Sequence, residues 1–389
     1  MIMSKHKVFL NNNRWRSLLL VFFVIVWSGL LVTGCAYKDI DKRAFVVSIG
    51  VDPAPRNDET DMSDENRDIY DVTLKVAIPT ADIKSGENRF VLYSATGQTI
   101  ADAIHKVTPM IEGELDFSHA KLIFFAKTLA EHVKLSELID WFVRMETIQD
   151  IALVALAEPS AKDVLSLSPP TERLPANSLF TALDGSGTTA PTIVHSPLID
   201  VYRRLYEPGL DPYLSIVQTV GKNNFKIDRV ALFDKTRLQL VLDSEDTEWF
   251  NFLARSTSNV TFSNVPKGYF FQVDPNRASS HFTLEEMPQG KLTIVWHIDL
   301  KGSIDERQGK AVDDKEVIAA QIRKLATQKT QTLTETLLKH HLDPLGFGFQ
   351  YRIRHPHKND FATFQNMYPS LETRVHIQTV IYETGNLTR

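Results

Sequence analysis

Asp116-Phe117-Ser118-His119 puts a carboxylate, a hydroxyl and an imidazole within four residues. These are the residue types of a nucleophilic hydrolase, where histidine takes the serine proton and the acid orients the histidine. A triad is a constellation in space, however, and adjacency along the chain is not evidence for one. A histidine just ahead of an apolar strand reads first as a structural hydrogen-bonding residue. Asp58, Asp61, Asp64, Glu65 and Asp68 offer oxygen ligands for a hard cation such as calcium. An EF-hand loop also needs a glycine at its sharp turn; none lies among these acids, so a solvated acidic loop is the better reading. His340-His341 and His355-Pro356-His357 lack a carboxylate or thiolate partner that would complete a metal site. Gly185-Ser186-Gly187 is too short a signal for a phosphate cradle and reads as a flexible loop. The P-loop, nucleophile-elbow, zincin and complete dinucleotide-binding patterns are all missing from the sequence. The expectation is a protein that is not an enzyme and carries no metal and no cofactor.

The one cysteine, Cys35, is different. It follows Lys5, Lys7, Arg14 and Arg16, then an apolar run from Leu18 to Val32 interrupted only by Ser28-Gly29, then Thr33-Gly34. A basic start, an apolar centre and small residues at the end form a signal peptide. The apolar part is about 15 residues, shorter than the ~20 that span a bilayer comfortably. Leu31-Val32-Thr33-Gly34-Cys35 is the lipobox pattern, in which the thiolate takes a diacylglyceryl group and cleavage leaves the cysteine first. The alternative is a plain transmembrane anchor with an incidental cysteine. Lipidation at Cys35 is the one site assigned from sequence. Several acyl chains hold far better than one, at about 0.8 kcal/mol per buried CH₂. The basic start stays inside, so the chain after Cys35 belongs on the outer face of the membrane.

Composition sets the remaining bounds. The chain has 389 residues, 43% of them hydrophobic, and a net charge of -5. That supports packed domains and argues against nucleic acid as a partner, because phosphate binding needs clustered positive charge. A single thiol closes no internal disulfide.

The patterns then place elements. Phe45, Val47, Ile49 and Val51 alternate, as do Tyr70 through Ile78, and both read as strands. Helical spacing covers Gln98–Glu112 and Leu129–Met145, with apolar strands at Lys121–Ala126 and Ile151–Ala157 and a short helix at Ser160–Leu167. Residues 168–197 read as a loop with a helix over Pro175–Leu183. Ile199–Tyr206 is a helix stopped by Pro208-Gly209. Beyond Lys226, Val230–Phe233 and Leu238–Leu242 form a hairpin, Thr247–Leu253 a short helix and Leu292–Leu300 a strong strand. Asp313–His341 is the longest helix, with Asp313 or Asp314 near its start and Pro344 and Gly346 after its end. Phe347, Phe349 and Tyr351 read as core residues on a strand, Trp249, Phe250 and Phe252 as packing residues, and Val375, Ile377 and Ile381 as a last strand. The fold class is α+β, mixed sheets with packed helices in two to three domains after the signal peptide. The boundaries are 1–34 for the signal peptide, 35–225 for an α/β domain and 226–389 for an α+β region divisible near 300.

Several segments resemble one family. Arg43-Ala44-Phe45-Val46-Val47-Ser48-Ile49-Gly50-Val51-Asp52 is similar to its strand ending I-G-[IV]-D. Gly97-Gln98-Thr99-Ile100-Ala101-Asp102-Ala103 resembles its G-x-T-[IV]-x-x-A helix start, and Leu115-Asp116-Phe117-Ser118-His119-Ala120-Lys121 its L-x-[FY]-x-H-x-K segment. Val230-Ala231-Leu232-Phe233 matches A-[VL]-F, Asp343-Pro344-Leu345-Gly346-Phe347-Gly348 matches D-[PA]-x-G-[FL]-G, and Val375–Gly385 fits the closing strand and glycine. In this order, behind a lipobox, they resemble the Ger(x)C family, the C-subunit lipoproteins of spore-germination nutrient receptors. Cys35-Ala36-Tyr37 stands where many members have Cys-Trp-Asp.

The resemblance implies three α+β domains and a non-enzymatic lipoprotein subunit. It would be anchored through Cys35 to the outer face of the spore inner membrane and docked to the integral membrane A and B subunits of the receptor. It names neither the nutrient nor any residue that would hold it. The competing readings are a substrate-binding lipoprotein of a transporter, which would close on a small ligand between lobes, and an anchored hydrolase built on Ser118 and His119.

Overall fold

The computed structural model describes residues 17–24, 42–55, 69–78, 90–169, 172, 174, 176–185, 190–255, 260–263, 268–274, 276–287, 291–307 and 315–382. The chain divides into two units, Met1–Arg43, where positions 17–24 are helical, and Ala44–Arg389. Among the described residues no helix is long and apolar enough to cross a membrane. Cys35 and the acids from Asp58 to Asp68 lie outside the described residues.

Three antiparallel strands open the larger unit: β1 (Arg43–Pro53), β2 (Tyr70–Ala77) and β3 (Phe90–Gly97). Helix α1 (Ile100–Val107) leads to the short β4 (Glu114–Asp116) and to β5 (Leu122–Ala126), which lies parallel to β1. Helices α2 (Lys127–His132) and α3 (Leu135–Arg144) cross to β6 (Leu153–Glu158). Helices α4 (Ala161–Ser166), α5 (Asn177–Asp184) and α6 (Leu198–Tyr206) cross to β7 (Tyr213–Val220). Antiparallel β8 (Asn224–Phe233) and β9 (Leu238–Leu242) complete a nine-stranded sheet, ordered β3-β2-β1-β5-β6-β7-β8-β9 with β4 on β1. The sheet therefore runs past position 225 to Leu242.

The central strands are apolar on both sides because both faces are covered. On β5, Ile123 and Phe125 join the core under α1, α2, α3 and α6, while Leu122 and Phe124 join the core under α4 and α5. On β8 the same period of two sends Ala231 and Phe233 to the first core and Val230 and Leu232 to a third.

That third core belongs to the remaining elements. They are α7 (Ser244–Arg255), β10 (Thr261–Ser263), β11 (Tyr269–Val273), β12 (Ser279–Glu286), β13 (Leu292–Arg307), α8 (Lys315–Lys339), α9 (Phe347–Arg354), α10 (Lys358–Met367) and β14 (Glu372–Tyr382). The strands make a five-stranded sheet with β14 parallel to β13. Trp249, Phe250 and Phe252 are buried packing residues, and Ile294, Trp296, Ile298 and Leu300 line the inner face of β13. The two buried indoles reach α8: Trp249 Nε1 donates to Thr330 Oγ1 and Trp296 Nε1 to Thr334 Oγ1, each at 3.2 Å. A buried tryptophan needs such a partner for its N–H.

The mixed α+β class and most expected elements are present, with three corrections. The expected helix Leu129–Met145 is two helices, because Val133 and Lys134 leave helical geometry and the Leu135 N–H is held by the Thr236 carbonyl at 2.7 Å. The expected strand at Phe347, Phe349 and Tyr351 is helix α9, with Phe347 and Tyr351 buried one turn apart. The 98–112 helix ends at Val107 and continues as a 3₁₀ turn over Thr108–Met110, where Pro109 interrupts the helical bonding.

Candidate functional site

Asp116, Ser118 and His119 do meet, but in the wrong order for a triad. Ser118 Oγ donates to Asp116 Oδ1 at 2.6 Å and lies 3.1 Å from His119 Nδ1. The hydroxyl thus sits between acid and imidazole, whereas a nucleophile triad places the imidazole between the other two. The His119 ring stacks on Phe45 at 5.2 Å, and Lys121 lies over the Phe180 ring at 4.7 Å. Both motif residues bind elements of the fold to each other.

Two other motif segments have local roles. The Asp52 carboxylate accepts from the Ala161 and Lys162 N–H groups at 2.7 and 2.9 Å, closing the start of α4 from a strand 109 and 110 residues away. Thr99 caps α1 by accepting from Asp102 N at 3.0 Å, and Asp102 accepts from Gln98 N at 3.1 Å. A Cβ on Gly97 would stand 2.5 Å from Ala103 N, so the preceding position admits only glycine without a shift.

The segment Asp343–Gly348 and the end of the β8 motif meet at one place. Helix α8 ends at Lys339, and just beyond it His341 takes a left-handed φ of 56° while Leu342 N donates back to Leu337 O at 3.0 Å, as in a Schellman turn. The chain then turns into α9, and Asp343 caps it. Its carboxylate accepts from the N–H groups of Gly346 and Phe347 at 2.8 Å each and of Gly348 at 2.6 Å. These are donors that a helix N-terminus leaves without intrahelical partners. The loop after α6 packs against this cap. Asp211 accepts from Asp343 N at 2.6 Å, and its own N–H donates to Asp343 O at 2.9 Å. Gly209 (φ 76°) lies so close to α9 that an added Cβ would meet the Gly348 carbonyl carbon at 2.4 Å.

Cations tie the same junction. Lys235, directly after the β8 strand and Asp234, donates to the carbonyls of Arg204, Glu207 and Leu210 at 2.5, 2.7 and 2.7 Å and stands 3.5 Å from Asp211 Oδ1. Arg204 donates to Pro344 O at 3.0 Å and lies over the Tyr213 ring at 4.3 Å. Arg352 on α9 pairs with Glu207.

Burial sets the titration here. It pushes Asp343 up to about 7, with the Asp211 charge adding to the rise, against the pull of the three N–H donors. It also raises Asp211 and lowers Lys235, so for this pair the loss of water outweighs their mutual attraction. Buried Tyr368, whose hydroxyl donates to Leu342 O at 2.6 Å, is raised well above an ordinary phenol by burial and then by Asp343 and Asp211.

Beside the junction opens a cavity of about 380 Å³. Its floor includes Asp211, Lys235 and Asp343, and its walls include Tyr206, Phe361, Phe364 and Tyr368. None of these residues was singled out from sequence as a site; the D-P-L-G-F-G and A-L-F matches were the signals that pointed here. Among the described residues no group of three or more His, Cys, Asp or Glu side chains is placed to hold a metal ion.

Comparison with known proteins covers most of the chain. Residues 36–219 match the model of the spore germination protein N-terminal domain, and residues 228–385 match the spore germination B3/GerAC-like C-terminal domain. Spore germination protein KC of Bacillus subtilis (strain 168) is 22% identical over 321 residues, 76% of this chain and 79% of that one. Spore germination protein B3 of the same organism is 20% identical over 352 residues, 86% and 89% of the two chains. The crystal structure of the GerBC protein superposes with a TM-score of 0.52 at 14% identity, covering 80% of this chain and 93% of that one, and shares the mixed α+β fold.

Proposed function

From the premise that this chain belongs to the family of germinant-receptor C subunits, we propose that it is the lipid-anchored C subunit of a nutrient receptor. It acts without catalysing a reaction. Cys35 carries the lipid, the chain after it lies on the outer face of the spore inner membrane, and its surface docks the integral membrane A and B subunits. One observation carries the anchor. The first family match begins at residue 36, the position after the lipobox cysteine, and the two matches in order then take up nearly all that follows. Cleavage before Cys35 would leave this region as the mature chain, which supports the anchor reading. The order of contacts at Asp116, Ser118 and His119 gives the hydrolase reading no support.

The test is biochemical. Spores carrying the tagged chain are labelled with palmitate, fractionated and solubilised in neutral detergent. Label on the wild type, none on Cys35→Ala, and co-purification of two integral membrane proteins support the proposal. An unlabelled, fully soluble wild-type chain overturns the anchor, and purification with a transporter permease instead overturns the receptor assignment.

A further inference from the structure

The cavity next to the Asp343 cap has room for a ligand, since small-molecule pockets run from about 300 to 1,000 Å³. Its chemistry is one-sided. An ammonium has three hydrogens, and Lys235 gives its hydrogens to the carbonyls of Arg204, Glu207 and Leu210. The first N–H groups of α9, which would otherwise attract an anion, are taken by Asp343. The Tyr368 hydroxyl hydrogen is used on Leu342 O. The buried donors that would select an anion are therefore engaged within the protein, and the other donors of the lining, His341 and Gln365, are exposed. The buried part of the lining is mainly acceptor oxygen and aromatic surface. A carboxylate has about four acceptor positions; Asp211 uses one on Asp343 N and sees Lys235 only at 3.5 Å. Tyr206 stands at the mouth, 58% exposed, and Phe361 is half-buried beside the buried Phe364.

We propose that this cavity binds a small organic cation, a primary or quaternary ammonium on an apolar body. The ammonium faces Asp211 and the aromatic ring of Tyr206, and the apolar body lies along Phe364 and Phe361, whose ring already carries the Arg352 guanidinium at 5.7 Å. Ring faces attract such cations most strongly where water is excluded. A cation in this position lowers the proton affinity of Asp343, so binding above the floor carboxylates releases a proton near neutral pH. The inference does not rest on the receptor assignment, because it concerns binding by this chain alone.

The experiment uses the full chain in neutral detergent and titration calorimetry with phenethylammonium, 2-phenylethanol and phenylacetate. The proposal expects the ammonium to bind about tenfold or more tighter than the alcohol, with phenylacetate weakest. It expects Tyr206→Ala, an exposed and easily tolerated change, to weaken the ammonium about two- to fivefold, the loss of one exposed cation–π contact, and Phe361→Leu to weaken the ammonium and the alcohol by a similar factor. The ammonium enthalpy should also vary with the ionisation enthalpy of the buffer near pH 7, reporting the released proton. Equal binding of ammonium and alcohol, a preference for phenylacetate, undiminished binding to both variants, or no binding of any probe at millimolar concentration overturns it. Each of these outcomes leaves the lipid-labelling test of the receptor reading untouched.

Discussion

Replacing Asp343 with alanine removes one carboxylate and leaves three backbone donors at the start of α9 without their acceptor. Hydrogen bonds to a charged group contribute roughly 1.5–3 kcal/mol each, so three give a gross loss of roughly 4.5–9 kcal/mol. The alanine variant also escapes the cost of holding a buried charge beside Asp211, and water reaching the cavity recovers part of the loss. A net destabilisation of about 3–5 kcal/mol is expected, the range seen when one partner of a buried ionic contact is removed. For a chain of this length that is a melting-point drop of about 4–8 °C. Urea unfolding followed through the buried Trp249 and Trp296 measures it directly. The pH dependence has a definite sign. The folded-state pKa of about 7 lies above the ordinary 3.8, so the folded chain binds the extra proton between those values. The contribution of Asp343 is then fully present below 3.8 and declines as pH rises through about 7. The stability gap between wild type and Asp343→Ala should therefore widen as pH falls from 8 to 5. A drop of less than about 1 kcal/mol, well under the contribution of even one charge-assisted bond, or a gap that narrows in acid, refutes the cap.

Three further outcomes follow from other sites. Gly209→Ala drives a Cβ to 2.4 Å from Gly348 at a left-handed φ of 76° and should destabilise by about 2 kcal/mol or more in the same urea assay. Asp52→Ala removes the acceptor of the Ala161 and Lys162 N–H groups while the Ser160 cap of α4 stays, and should lose about 1–2 kcal/mol, with faster amide exchange at Ala161 and Lys162 than elsewhere in the sheet region. Lys75 is 1% exposed, donates to Leu167 O at 3.0 Å, and is lowered by burial to about 8 from 10.5. The unfolded chain holds that proton between 8 and 10.5, so wild-type stability should rise over this window by on the order of 3 kcal/mol relative to Lys75→Met, which should lack the slope.

The elements with clean periodicity were legible in the sequence. Alternation at Tyr70–Val76 marks residues of the first core, and alternation at Leu292–Leu300 with the apolar face of the long helix marks residues of the third. Strand β7 was not anticipated, because Tyr213–Ile216 is covered on both faces and shows no alternation; its burial runs unbroken from Tyr213 to Val217. Strands β11 and β12 are short or half-exposed, with polar residues such as Gln272 and His281 between apolar ones. At Phe347 the spacing of aromatics fits a strand, whereas the Asp343 carboxylate holds the N–H groups of Gly346, Phe347 and Gly348 at the start of a helix. The cavity was out of reach for a similar reason. Asp211, Lys235 and Asp343 stand far apart in sequence, and only the packing of the α6 loop on the start of α9 brings them together. The segment match at Asp343–Gly348 marked the place without giving its geometry.

The most direct test of the receptor assignment is germination itself. A strain lacking this chain and a strain carrying Cys35→Ala are sporulated, and their spores are followed in one nutrient at a time. The account predicts that the deletion loses the response to particular nutrients while keeping the others, and that Cys35→Ala weakens the same responses. Normal germination of the deletion strain in every nutrient, with a defect in uptake of one solute in its place, contradicts it.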